Sequence, residues 1–259
     1  MPRRTLTLAV PFVALTAVLL TACGGSDSDS SKSGGADTRS SSKGTAAAPL
    51  SAAELEKKVL TQSDVKGFLV SKPTKDEEIS ADKVASKRED CAPVSLSLSG
   101  VALDEPKATV QRRATGKKDA PTGKEKDVDA AVDAAFDTTT SAVTLASYAD
   151  EAAATKALAS IGKSVTACAK GYTYSAMGAE QKLTEVAADT APEAGDEAVA
   201  FTATVQQDGM PKPGPMKVAA FRTGSTVTYV SSLNPAALMK GGDFEFPTIL
   251  VDTQAKKLS

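Results

Sequence analysis

The chain has 259 residues, 41% of them hydrophobic but only 4% aromatic and none of them Trp, so any core must be built largely from Ala, Val and Leu. Its 30 Lys and Arg against 32 Asp and Glu give a net charge of −2, which excludes the basic excess of a nucleic-acid-binding protein. There is no histidine, which removes Ser-His-Asp and Cys-His catalysis, His-ligated metals and a histidine pH switch.

The N-terminus reads MPRRTLTLAVPFVALTAVLLTAC. Arg3 and Arg4 form a positive start, and residues 6–20 form an apolar run. A bilayer span needs about 20 apolar residues, so this run is short for a permanent helix and fits a secretory leader. The pair Arg3-Arg4 followed by Thr-Leu-Thr-Leu is a weak match to twin-arginine export, which favours ordinary secretion. Leu20-Thr21-Ala22-Cys23 resembles a bacterial lipobox. That resemblance implies cleavage before Cys23, a diacylglyceryl thioether on its sulfur, and anchoring to the membrane by its acyl chains. The competing reading is a plain leader that happens to contain a cysteine.

Residues 23–49 are rich in Gly, Ser, Asp, Lys, Thr and Ala and have no periodic apolar positions, the composition of a flexible tether. A folded domain is expected over residues 50–259. It opens at Ser51 with Glu54 three residues on, a capping-box spacing, followed by Leu55, Val59 and Leu60 at helical intervals. Gly67 ends this element or the next, and the following stretch, to Cys91-Ala92-Pro93 and beyond, is mixed.

Seven Lys and Arg fall between Lys107 and Lys126, against Asp119 and Glu125. One reading is a contact with anionic lipid or cell-wall polymer. The favoured one is a short strand over residues 108–114 and a solvated loop, because no aromatics interleave. Asp129, Asp133 and Asp137 lie four apart on one face of an expected helix, with Val128, Val132 and Phe136 on another. An EF-hand count from Asp127 places Val132 and Thr138 where Gly and Glu are needed, so the match fails and a solvated face is favoured.

Next, TTTSAVTLASYA predicts a strand with Val143, Leu145 and Ser147 on one face. Asp150 opens a helix whose apolar stripe is Ala154, Leu158, Ile161, Val165 and Cys168, with Gly171 as a stop signal. YTYSAMG, QKLTEVAA, EAVAFTATVQQ and MKVAAFRTGSTVTYVSSL predict consecutive antiparallel strands, with Thr223-Gly224-Ser225 as a hairpin turn. The proline-rich loop over residues 208–215 is read as non-strand, and Pro247 begins a short final helix. The element order predicts an α+β fold in one domain.

With Cys23 lipidated, Cys91 and Cys168 remain, and in an oxidising compartment an even pair is most simply a disulfide. A redox-active pair is the alternative, but the C-x-x-C spacing is missing.

The run of CAPVSL at Cys91, SAVTLASYAD, EAAATKALASIGKSVTAC and YTYS resembles the extracellular sensor domain of mycobacterial PknH-type serine/threonine kinases. Related domains occur as actinobacterial lipoproteins. The resemblance implies a twisted antiparallel sheet packed with helices, and a cleft expected to bind a ligand. That family usually carries two disulfides, where this sequence can form only the Cys91–Cys168 one. The sequence shows no kinase domain and, once cleaved at Cys23, no transmembrane helix, so a ligand-binding or scaffolding role is expected in place of direct signalling.

The functional expectation is a non-catalytic, lipid-anchored extracytoplasmic protein on the membrane, partnered with a small molecule, lipid or envelope component. No cofactor, metal or nucleic acid is implied. A structural or interaction lipoprotein without a ligand site is the second reading, and an envelope hydrolase using carboxylates or a serine the third. Tyr148, Tyr172, Tyr174 and Phe201 are candidates for a pocket lining, or else half-buried sheet positions.

Overall fold

The structure, a computed structural model, describes residues 48–117 and 136–259. The leader, Cys23, nearly all of the tether, residues 118–126 of the basic segment and the Asp129 and Asp133 face lie outside the described residues.

The first helix, α1 (Ala52–Lys58), is closed at its start by the expected capping box. The Ser51 hydroxyl accepts from the Glu54 N–H at 3.3 Å, and the Glu54 carboxylate accepts from the Ser51 N–H at 2.8 Å. Two short strands follow, β1 (Phe68–Ser71) and β2 (Val84–Ser86), then α2 (Ala92–Leu98). Next come β3 (Ala108–Gly116), β4 (Thr140–Ser147) and the long helix α3 (Glu151–Ala167). Strands β5 (Tyr172–Ala176), β6 (Ala179–Asp189), β7 (Glu197–Gln206), β8 (Gly214–Thr223) and β9 (Thr226–Leu233) complete the sheet. Helices α4 (Pro235–Lys240) and α5 (Thr248–Leu258) close the chain. Among the described residues, no helix is long and apolar enough to cross a membrane.

The nine strands among the described residues form one antiparallel sheet in the order β1-β3-β4-β9-β8-β7-β6-β5-β2. Helices cover both faces. On one, α2 and α3 pack Val94, Leu98, Leu158 and Ile161 against Phe201, Val205 and Tyr229. On the other, α1 and α5 pack Leu55, Leu250 and Val251 against Val143, Phe221 and Val230. This explains why β9 is buried at nearly every position although it is antiparallel. Val143, Leu145 and Ser147 share a face as expected, and Ala146 on the opposite face is buried too.

Helix α3 follows its sequence signals. The Asp150 carboxylate accepts from the Ala153 N–H at 2.8 Å, and Ala154, Leu158, Ile161 and Val165 are buried. Its first residue, Glu151, meets the buried Arg222 at 3.0 Å, and Arg222 also binds Asp196 at 3.0 Å and the Gly224 carbonyl at 2.9 Å. With Glu197 at 3.2 Å, three carboxylates and one carbonyl thus compensate one buried guanidinium and fasten the helix start to the β8–β9 hairpin.

Two helices escape the sequence reading. VSLSLSG alternates like a strand, yet its serines back-bond along a helix. The Ser97 hydroxyl donates to the Pro93 carbonyl at 2.7 Å, and the Ser99 hydroxyl to the Ser95 carbonyl at 2.9 Å. Helix α4 carries full punctuation, with Asn234 capping the Ala237 N–H at 3.0 Å, Pro235 in its first turn and Gly241 at φ +69°. The proline-rich loop is also shorter than expected, because β8 begins at Gly214 and takes in Pro215. Gly171 does more than stop a helix. At φ +77° a Cβ there would lie 2.2 Å from the Leu183 carbonyl oxygen, beside the bulge in β6.

Candidate functional site

Strands β1 and β2 are neighbours in sequence but lie at opposite edges of the sheet. The 12 residues 72–83 must therefore cross from one edge to the other. In a flat sheet, eight steps of about 4.8 Å would separate the edges by about 38 Å. A strap of 12 residues reaches about 40 Å only when fully extended. It is not extended: the Glu77 and Glu78 N–H groups turn back onto the Thr74 carbonyl at 3.0 and 3.1 Å, and Ala81–Lys83 is a 3-10 turn. The sheet must curl to bring its edges together, and the strap lies over the hollow.

Pro73 accounts for where the strap leaves. Ser71 pairs with Arg113, so residue 73 would oppose Gln111 if β1 continued, and a proline has no N–H to donate there. The Arg112 guanidinium takes the Gln111 carbonyl instead, at 2.9 Å. Beyond Pro73 the strap is tied down by an ion pair between Glu77 and Arg113, and by the Met177 N–H, which donates to the Lys83 carbonyl at 3.1 Å.

Beneath the strap lies a cleft of two chambers that share Pro73, Ile79, Gln111 and Arg112. One, of about 450 Å³, is lined mainly by apolar groups: Leu98, Ala142, Tyr174, Met177, Met216 and Leu238. The other, of about 620 Å³, carries Glu56, Lys72, Glu78, Asp104 and Thr109. Both lie within the usual size of small-molecule sites, about 300–1,000 Å³.

The basic groups of the cleft, Lys72, Arg112 and Arg113, are each paired with a carboxylate of the cleft. Glu56 accepts from Arg112 at 2.6 Å and from Lys72 at 3.1 Å, and the Arg112 guanidinium foremost holds its carboxyl below the ordinary carboxylate value. Glu77 is likewise held low, first by the Thr74 backbone and hydroxyl and then by Arg113. The Tyr174 phenol, buried at the floor of the apolar chamber, is pushed up to about 12 by desolvation. Such a phenol stays protonated at neutral pH and offers the cleft a neutral hydroxyl.

Of the four aromatic candidates, only Tyr174 lines the cleft. Phe201 is fully buried core. Tyr148 belongs to a closed buried ring, in which its hydroxyl donates to the Leu103 carbonyl at 2.7 Å and accepts from the Tyr229 hydroxyl at 2.6 Å. The Leu103 N–H returns to Tyr229 at 3.4 Å, so both phenols are spoken for. Tyr172 sits under α2, its hydroxyl 3.0 Å from the Cys91 carbonyl.

Cys91 and Cys168 form the expected disulfide, with Cα atoms 5.8 Å apart. It pins the start of α2 to the end of α3, reinforced by Arg88, which reaches Asp90 at 2.5 Å and the Ala167 carbonyl at 3.1 Å. Asp90 also lies beside both sulfurs, but bonded sulfurs offer no thiolate to a metal. The far end of the same helix supplies Leu98 and Ser99 to the cleft wall, so the disulfide positions that wall from behind. In the described part of the basic segment, Arg112 and Arg113 pair with Glu56 and Glu77, while Lys107 and Lys117 lie exposed at either end of β3. Pro73, Ile79, Met177 and Met216 are missed by sequence reasoning, and only the SKP breaker at Pro73 gave a local signal.

No family model matches the sequence, and no curated protein matches it. Among solved structures, the extracellular domain of PknH from Mycobacterium tuberculosis aligns with a TM-score of 0.51 at 12% identity, covering 81% of this chain and 95% of that one. An uncharacterized protein of Mycobacterium smegmatis, the Rv0999 ortholog, aligns at 12% identity over 75% of this chain and 88% of its own, with a TM-score of 0.33. This chain is therefore similar in fold to the PknH extracellular domain, as the CAPVSL and SAVTLASYAD segments led us to expect.

Proposed function

We propose that this chain is a non-catalytic binding protein of the extracytoplasmic face, anchored through lipid on Cys23 and holding a small molecule, lipid or envelope component under its strap. The observation that carries the reading is the strapped cleft, with an apolar chamber opening beside a polar one. The likeness to an extracellular domain and the disulfide support an oxidising location. A general acid needs a carboxyl with a raised pKa, whereas Glu56 and Glu77 are held low by their partners, which weighs against hydrolysis. One observation favours an interaction lipoprotein without a ligand: among the described residues, helices cover both faces of the central strands. Native mass spectrometry of protein purified from its own host separates the two. A reproducible co-purifying mass is expected, and bare protein in every preparation would contradict binding.

A further inference from the structure

We propose that the apolar chamber takes an unbranched apolar chain with an uncharged polar head, and that Met177 is the lip over which the chain enters. This rests on the binding reading above and names its ligand class. Three observations converge on it.

The apolar part of the chamber wall is built from aliphatic, thioether and aromatic groups, among them Leu98, Met216, Leu238 and Tyr174. Methionine side chains, unbranched and polarizable, adapt to flexible apolar ligands. The polar lining includes the amides of Gln181 and Gln207 and the hydroxyls of Ser99 and Thr140, which suit hydroxyl or amide partners.

The charges set the head group. Arg112 and Arg113 line the chamber, but so do Asp76 and Glu77, and the arginines are engaged by Glu56 and Glu77. A carboxylate or phosphate head would have to displace one of these carboxylates and would then face Asp76. A neutral head meets no such competition.

Met177 is placed against its backbone preference. It occupies the two-residue turn between β5 and β6, at φ +54° before Gly178 at φ +78°. Turns with two positive φ values favour Asn-Gly, and a bulky side chain is disfavoured there. Met177 is nonetheless 48% exposed at the mouth of the chamber, and its N–H holds the strap's end at Lys83. The N–H contact needs only backbone, and the side chain belongs to neither buried cluster of the sheet. A chain passing the lip gives it a partner.

The test is fluorescence titration with the neutral probe N-phenyl-1-naphthylamine, displaced by 1-monoacylglycerols of increasing length below their micelle concentrations. Affinity is expected to rise about fourfold per methylene until the chamber fills, and 1-monopalmitoylglycerol to bind more tightly than palmitate. Met177→Asn should raise the melting temperature by relieving the turn while weakening the glyceride several-fold. A merely structural Met177 would show the first effect without the second, which would overturn its role. Affinity independent of chain length, or palmitate binding at least as well, would overturn the ligand class. If glycerides fail while another mass co-purifies and is lost on blocking the chamber with Ala176→Trp, this inference falls and the binding reading stands. If nothing binds in either experiment, both fall.

Discussion

Gln254 and Leu60, 194 positions apart, are joined by a buried hydrogen bond of 2.9 Å from the Leu60 N–H to the Gln254 side-chain carbonyl. The same amide donates to the Lys58 carbonyl at 3.0 Å, so one side chain of α5 serves both a donor and an acceptor left over where α1 ends. Seven residues of helix are too few to be stable alone, and this contact, with Leu55 packed behind it and the Glu56–Arg112 pair, fixes α1 in place. Gln254→Ala strands both groups in a dry environment. We expect a loss of about 3 kcal/mol in urea unfolding; a change under about 0.5 kcal/mol would show that water reaches them.

The Cys91–Cys168 bridge closes a loop of 77 residues. Replacing both with serine should cost about 4 kcal/mol, mainly by freeing the unfolded chain. Because α2 carries Leu98 into the cleft, ligand retention should fall in the same variant even under conditions where it stays folded. Two thiols reactive under denaturing conditions in exported wild-type protein would contradict the bridge itself.

Acid should weaken the domain in a defined window. Asp64, bound by Lys257 at 2.7 Å, is held below its ordinary value of 3.8, and Glu56 below 4.5. A carboxyl with a depressed folded value stabilises the fold once the unfolded chain is ionised, and that contribution is lost as pH falls through the folded value. The melting temperature should therefore hold steady between about pH 6 and 8, where a chain without histidine has little to titrate, and drop as pH falls below 4.5. A pronounced step near neutrality would contradict this.

How much of this was legible beforehand depended on which residues talk to their neighbours. Asp150, the Leu158 and Ile161 stripe, and the β8–β9 hairpin are local patterns, and all three stand where periodicity puts them. Helix α2 failed because hydroxyls that bond backward along a helix look, in sequence, like the polar half of a strand. The cleft failed for a different reason. It exists because β1 and β2 sit at opposite edges, which brings Ile79 into the same hollow as Met216 and Leu238. Alternation tells which face of a strand Tyr174 occupies, but not that Tyr148 is sealed in a hydrogen-bonded ring while Tyr174 meets a cavity.

Anchoring is tested apart from the fold. Blocking lipoprotein signal peptidase with a globomycin-type inhibitor should leave the chain about 22 residues heavier, and untreated protein should carry acyl mass on Cys23. An unmodified Cys23 in the untreated control would contradict the anchor, leaving the cleft and its reading unaffected.

The central claim is that the strapped cleft is occupied in the living cell. Wild-type and Ala176→Trp proteins, purified in parallel from the native host, should be compared by native mass spectrometry after melting curves confirm that both are folded. We predict a bound mass on the wild type that is absent from the variant, whose indole fills the apolar chamber beside Tyr174. The same bound mass on both proteins, or none on either, would contradict the account.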